Sequence, residues 1–315
     1  MSKAGKSLVV ALTGGIGGAK LVLGLSRILP AADLLVVVNT GDDFEHLGLA
    51  ISPDIDTVMY ALAGLDDPER GWGRRAETWN FMAALAALGG EAWFKLGDGD
   101  LATHVERTRR LAGGESLSRI TEDFRRRLGI SARLLPMTEE RVRTSLRTDR
   151  GWLDFQDYFV RLRAEPVVRE IVYGGAANAR ANAEFLAALA DDDLEAVVIC
   201  PSNPFLSIDP ILSLPDVRDA LRNCHAPVIA VSPIIGGQAV KGPTAKIMAE
   251  LGFPVSAAAV ARYYGDILDL YITDDADENE LSGLGIPVRA TNTLMLTLAD
   301  RDALATAVLT AARGS

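Results

Sequence analysis

The sequence predicts an α/β fold: an open, mostly parallel sheet with helices on both faces and a mostly helical insertion. Three observations carry this. Short, unbroken apolar runs at 7–12, 34–39, 196–200 and 227–231 have the length of strands buried on both faces. Segments with apolar residues at i, i+3 and i+4 alternate with these runs. Glycine, proline, serine and aspartate gather just after the runs, where strand-to-helix turns belong.

In chain order, residues 7–12 read as a strand, 13–18 as a glycine turn, 19–29 as a helix stopped by Pro30, and 34–39 as a second buried strand. Together they make a right-handed βαβ unit. Residues 56–65 and 75–88 read as amphipathic helices, the second ended by Gly89 and Gly90, and 93–96 as a short strand. The stretches 98–111, 116–128 and 136–147 are charged and rich in arginine, and 152–163 is amphipathic and aromatic. Residues 101–164 are therefore expected to form the insertion or cap, with room for a small hairpin around 133–153. The α/β pattern resumes with a strand at 169–173, a helix at 178–190, strands at 196–200 and 227–231, a helix at 241–250, short strands at 271–273 and 287–290, and a closing helix at 300–313. The expected core is thus 1–100 plus 165–315.

The size fits this plan. The chain has 315 residues, against roughly 150 per typical domain. With 49% hydrophobic and 23% charged residues, a sizeable core is available and disorder is excluded. The 32 basic and 42 acidic residues give a net charge of −10, which argues against nucleic acid or an anionic membrane as partner. A local phosphate site remains open, because backbone N–H groups or a bound cation can serve it. Cys200 and Cys224 are too few for a disulfide scaffold and lack metal-site spacing, so reduced thiols and a cytoplasmic location are expected. Residues 1–6 are short and polar, and Gly14 and Gly15 break the apolar run behind them, which does not read as a signal peptide.

Five motifs follow predicted strands. Thr13-Gly14-Gly15-Ile16-Gly17-Gly18-Ala19-Lys20 joins the first strand to its helix. Its glycines allow close approach of a phosphate to a helix N-terminus, although it is neither a Walker loop nor a strict G-x-G-x-x-G. A tight turn without a ligand is the alternative. Asn39-Thr40-Gly41-Asp42-Asp43 ends the second strand, and Asp54 and Asp56 follow just before a helix. Clustered carboxylates suit a divalent cation, while either Asp54 or Asp56 alone could be a helix N-cap. Lys95-Leu96-Gly97-Asp98-Gly99-Asp100 offers a cation for a phosphate or polar ring, and its aspartates could equally be turn residues. Cys200-Pro201-Ser202-Asn203-Pro204 and Ser232-Pro233-Ile234-Ile235-Gly236-Gly237, with Lys241 and Lys246 near the latter, present hydroxyl and amide groups on rigid loops. His46, His104 and His225 are scattered without metal-ligand spacing, the four tryptophans read as core or interface, and the arginines of 107–127 read as a solvated helix face.

These motifs, in this order, resemble the 2-phospho-L-lactate transferase family (CofD, called FbiA in actinobacteria) over roughly residues 8–295. The matching pieces include LTGGIGGAKL, NTGDDFEHLGLAISPDIDTVMYALAGL, WFKLGDGDLATHVERTRRL, LLPMTEERVRT, PSNPFLSIDPIL and SPIIGGQAVKGPTAKIM. The resemblance implies a Rossmann-like core with an added helical region, a homodimer, and a step in coenzyme F420 assembly. A phospho-three-carbon acid, 2-phospho-L-lactate or its phosphoenolpyruvate analogue, would pass from a guanosine diphospho-conjugate to the hydroxyl of the deazaflavin FO, with Mg²⁺ required and GMP released. By matching position, the FO-contacting residues fall on Asp56 and Lys95, and the guanosine nucleotide on Gly14, Gly15, Gly17, Gly18, Lys20, Ser202, Asn203 and Ser232. Asp42, Asp43 and Asp54 are the metal candidates, and Asp56 and Asp43 the catalytic carboxylates. Gly99 stands where a basic or larger residue is expected. The rival readings are a non-catalytic UDP-sugar-binding regulator of the related gluconeogenesis-factor family, whose acidic stretch lacks the Pro-Asp-Ile-Asp-Thr segment, and an NAD-dependent oxidoreductase, whose fingerprint the glycine loop lacks.

Overall fold

The computed structural model describes residues 7–240, 242–281 and 283–314, so Lys241 lies outside it. The first apolar run forms β1 (Leu8–Thr13). The chain turns directly into α1 (Gly15–Ile28), crosses to β2 (Leu34–Val38), makes a hairpin of β3 (Phe44–His46) and β4 (Leu49–Ile51), and enters α2 (Pro53–Leu62). Next come α3 (Asn80–Ala87), α4 (Asp98–Ala112), α5 (Leu117–Arg127), β5 (Arg133–Pro136), β6 (Arg143–Thr148), β7 (Gly151–Asp154) and β8 (Val168–Gly174). The remainder runs α6 (Ala183–Leu189), β9 (Leu194–Ile199), α7 (Asp209–Leu212), α8 (Val217–Asn223), β10 (Val228–Val231), β11 (Ile234–Ile235), β12 (Gln238–Ala239), α9 (Thr244–Glu250), α10 (Ala257–Tyr264), β13 (Leu270–Thr273), β14 (Val288–Ala290) and α11 (Leu298–Arg313).

Seven strands make one parallel sheet in the order β14-β13-β10-β9-β1-β2-β5. From β1 the order runs outward through β2 and β5 on one side and through β9, β10, β13 and β14 on the other. It therefore reverses between β1 and β9. Loops leaving the two strands diverge there and open a crevice at the carboxyl edge, the usual ligand position of such sheets. The strands are apolar on both faces because helices cover both. Val10, Leu12, Leu35 and Val37 pack with Phe185, Leu221 and Tyr264, and Val9, Ala11, Leu34 and Val36 pack with Leu21, Val58 and Leu304.

Several local expectations give way. α1 begins at Gly15 rather than at 19, so the glycines form its first turn. The β3–β4 hairpin was unanticipated because its turn, Leu47-Gly48, reaches the left-handed region (φ 54° and 71°) without the Asn-Gly or Asp-Gly signature. Residues 93–96 are not a strand: Leu96 fills a small satellite core with Ile51 and Met82. The 136–147 stretch is not helical: its second part enters β6, and the hairpin expected around 133–153 is present as the β6–β7 pair. Val142, Thr144 and Leu146 are buried while Arg143, Ser145 and Arg147 lie on the other side, which is period two. Within 101–164, α4 and α5 are helical, β5 adds to the edge of the main sheet, and β6 and β7 pair antiparallel. The strand expected at 169–173 is β8, which pairs with β6 in a three-stranded side sheet. Among the described residues no helix is long and apolar enough to cross a membrane, and both cysteines are free.

α1 and α11 cross at Gly24, where a Cβ would lie 2.2 Å from the Arg301 carbonyl oxygen and 3.2 Å from the Ala305 Cβ. Gly24→Ala is expected to destabilise the fold by about 1–3 kcal/mol through overpacking, read by urea unfolding. An unchanged midpoint would contradict this packing.

Candidate active site

The crevice between β1 and β9 is closed at its base by hydrogen bonds between the two loops. The Ser202 hydroxyl donates to the Gly14 carbonyl (2.8 Å) and accepts from the Gly14 N–H (3.3 Å). A Cβ on Gly14 would stand 2.3 Å from Asp54 Oδ2 and 2.8 Å from Ser207 Cβ, so only glycine fits. Asp54 lies in the first turn of α2 but does not cap it. Its Oδ1 accepts from the Gly15 N–H (2.6 Å), the first residue of α1, and its Oδ2 accepts from the Asn39 side-chain amide (2.9 Å) at the end of β2. The same Asn39 nitrogen donates to Asp42 Oδ1 (3.0 Å) and to the Leu206 carbonyl (3.2 Å), and Asn39 Oδ1 accepts from the Gly41 N–H (2.7 Å). One buried amide thus spans two carboxylates.

Asp42, Asp43 and Asp54 are all buried. Burial, then the charges of Asp54 and Asp43, push the Asp42 carboxyl well above its usual range. Burial raises Asp43 to about 7, against the pull of Arg143 and the Ser52 hydroxyl, and raises Asp54 to about 6, against the Asn39 and Gly15 hydrogen bonds. Ser52 donates to Asp43 Oδ2 (2.8 Å), while Asp43 Oδ1 is buried without a partner. Among the described residues, no three His, Cys, Asp or Glu side chains converge as a metal cage. Magnesium does not require one, since it is commonly held by one or two carboxylates plus substrate phosphates. Hard oxygen donors, one of them unpartnered, in a pocket that disfavours their own ionisation fit such a cation.

Asp56, two residues on in the same first turn of α2, sits in a different setting. Arg107 of α4, 1% exposed, holds both its oxygens in a bidentate pair, with Nη1 donating to Oδ2 at 3.0 Å and Nη2 donating to Oδ1. His104 lies between Asp56 (3.6 Å) and Asp100 (3.3 Å), and Tyr60 donates to Asp100 Oδ1 (2.6 Å). Burial opposes the Arg107 charge, but Asp56 more than offsets it and keeps the guanidinium firmly protonated. The reading of the 107–127 arginines as a solvated face is therefore corrected: Arg107 and Arg110 are buried, Arg110 against Glu115 and Asp123. His104, set aside for its lack of metal spacing, is part of this buried cluster. The i, i+3 spacing of His104 and Arg107 on an otherwise polar helix was the available signal.

The other candidates are distributed as follows. Gly17 approaches the Pro201 carbonyl and Gly18 the Thr13 and Ser202 side chains, so the whole glycine run packs on the β9 loop. Lys20 Nζ donates to the Met295 carbonyl (2.7 Å). Asn203 Oδ1 accepts from the Phe205 and Leu206 N–H groups, and its Nδ2 is buried without a partner. The Ser232 hydroxyl closes its own turn with Ile234. Lys95 is exposed and stands outside this hydrogen-bonded set. Asp98 accepts from the Asn80 and Phe81 N–H groups at the start of α3, and Glu77 accepts from Gly99 and Asp100 at the start of α4. Lys246 pairs with Glu250.

The raised Asp43 carboxyl has a consequence for stability. Between roughly pH 4, its unfolded value, and about 7, the folded chain keeps a proton that the unfolded chain has lost. Stability from this group therefore falls as pH rises through that window. In metal-free buffer, Asp43→Asn is expected to be more stable than the parent at pH 8, with the difference fading toward pH 4. Denaturant unfolding at the two pH values reads it, and parallel profiles would refute it.

Comparison with known proteins identifies the family of the chain. The family model described as "2-phospho-L-lactate transferase CofD" matches residues 9–294. A phosphoenolpyruvate transferase of Streptomyces griseus is 42% identical over 296 residues, covering 91% of this chain and 92% of its own. One from Mycobacterium tuberculosis is 41% identical over 312 residues, covering 91% and 93%. A solved structure from the UPF0052 family of Bacillus halodurans superposes with a TM-score of 0.64 over 97% of this chain and 99% of its own, at 15% identity, which is a likeness of fold. With the family match spanning nearly the whole chain and relatives above 40% identity, the chain belongs to the 2-phospho-L-lactate transferase (CofD) family.

Proposed function

We propose that this protein transfers a phospho-three-carbon acid from its guanosine diphospho-conjugate to the hydroxyl of the deazaflavin FO, releasing GMP and forming the F420 precursor. Phosphoenolpyruvate is the acid we assign, supported by relatives named phosphoenolpyruvate transferase at 41–42% identity. The observation that carries the reading is the unpartnered Asp43 oxygen among buried carboxylates at the switch point of the sheet. We place the enzyme in the cytoplasm as a homodimer, a setting that free thiols and an acidic surface suit.

In this reading the guanosine nucleotide lies along the Gly14, Gly15, Gly17, Gly18 and Lys20 segment, against Ser202, Asn203 and Ser232. The FO hydroxyl oxygen attacks the phosphorus bearing the three-carbon acid, the bond from that phosphorus to the GMP oxygen breaks, and the hydroxyl proton passes to Asp43 Oδ1. Asp56 has both oxygens engaged by Arg107, so its part is to orient FO, with Lys95 at the outer edge of that subsite. Such transfers are driven mainly by alignment and charge neutralisation. Magnesium, held by Asp42 and Asp54 with Asp43 adjoining, would neutralise the diphosphate.

EDTA is expected to abolish turnover and excess Mg²⁺ to restore it; full activity in EDTA would remove the metal from this scheme. Asp43→Asn should lower kcat roughly 100- to 10,000-fold, the range of general-base loss, with donor KM little changed. Mass spectrometry of reactions given FO, Mg²⁺ and each guanylylated acid should show the phosphoenolpyruvate-derived product as the main one. No product from any of them would overturn the function itself.

A further inference from the structure

The donor assigned above carries a carboxylate in addition to its diphosphate, and the pocket that receives it is lined with aspartates. A third anionic group in that setting needs a cation of its own. Most cationic side chains nearby are engaged: Arg107 holds Asp56, Lys20 donates to the Met295 carbonyl, and Lys246 pairs with Glu250. Buried Arg110 is forked onto Glu115 and Asp123, and among the partly buried arginines Arg125 pairs with Glu122, Arg133 with Glu184 and Arg218 with Asp209.

Arg143 differs. It opens β6 and is half-buried. Its one hydrogen bond runs from Nη1 to the carbonyl of its neighbour Val142 (2.7 Å), and it forms no ion pair with a carboxylate among the described residues. The strand that carries it is docked on the acid-bearing turn: the Thr144 N–H donates to the Gly41 carbonyl (2.6 Å), and the Gln156 amide donates to the Asp42 carbonyl (3.3 Å). Burial, and the charge of Arg141, disfavour its cation, while Asp43, Asp42 and, from β7, Asp154 attract it. An arginine fork with open N–H groups is shaped for a planar carboxylate, which it binds through two parallel hydrogen bonds.

We propose that Arg143 receives the carboxylate of the transferred three-carbon acid and so selects donors that carry one. This rests on the transferase reading. Its place on the side sheet, docked on the Gly41–Asp42 turn rather than on the glycine run, separates carboxylate recognition from diphosphate recognition. A donor would then be gripped at both ends, with the reacting phosphorus between them.

The test is calorimetric titration, with Mg²⁺ and without FO, of two ligands: the phosphoenolpyruvate conjugate, enolpyruvyl-diphospho-5′-guanosine, and its vinyl counterpart, which lacks only the carboxylate. The parent protein is expected to bind the enolpyruvyl form more tightly. Arg143→Gln should weaken the enolpyruvyl form roughly 10- to 100-fold, the span of a charge-assisted contact, and leave the vinyl form within about 2-fold, which also certifies that the variant is folded. Arg143→Lys should fall between. Equal weakening of both ligands, or no weakening, overturns the assignment while leaving the transferase reading intact. Failure of the parent to bind either ligand overturns both.

Discussion

A single carboxylate ties the site together. Asp54, projecting from the start of α2, takes the first N–H of α1 with one oxygen and the Asn39 amide with the other. It thereby fixes α2 against the beginning of α1 and the end of β2, three elements that it ties together at the carboxyl edge of the sheet. An anion at a helix N-terminus is favourable in itself, since the backbone dipoles there leave partial positive charge and unfilled donors. The geometry leaves no room for a side chain at Gly14, and it sets the angle at which the same first turn of α2 presents Asp56 to α4. Loss of this bridge would disturb the glycine turn, the acidic pocket and the Asp56–Arg107 pair together.

The aspartates of the pocket fall into two chemical groups through their surroundings. Asp56 is buried opposite a guanidinium that engages both its oxygens. Asp42, Asp43 and Asp54 are buried chiefly against one another, with neutral donors and a more distant arginine, and burial favours their protonated forms. One site thus carries a carboxylate fixed in place by a guanidinium and, beside it, carboxyls whose burial disfavours ionisation. The pocket is a region of held-back ionisation, which an incoming cation relieves.

Much of this was legible in the sequence, and the limits have physical causes. The parallel sheet and its strand ends could be read because strands buried on both faces must be uniformly apolar and their loops must carry the polar groups. The positions of Asp42, Asp43 and Asp54 followed from that edge. Arg107 could not be placed, because an arginine on a polar helix looks solvated until the helix is known to lie over α2. A hairpin around 133–153 could be expected, but the bounds of β6 were hidden for a related reason: arginines at alternate positions, with Thr144 among the inward ones, mask a period-two pattern. The role of Asp98 in capping α3, rather than its own turn, is a tertiary fact that no local spacing encodes.

The strand order also bears on how the chain comes to be folded. β9 is the central strand of the seven and β1 lies beside it, yet the two are paired through Leu8 and Leu194 and later positions, far apart in the chain. A ribosome adding roughly 5–20 residues per second leaves that edge of β1 without its partner for tens of seconds. During this time the half-sheet of β1, β2 and β5 presents an unbroken apolar strand with unpaired N–H and C=O groups, the kind of edge that recruits other chains. Closure of such a distant pairing is intrinsically slow. The same topology that opens a crevice between β1 and β9 in the finished protein therefore makes their junction the late and vulnerable step in its biogenesis.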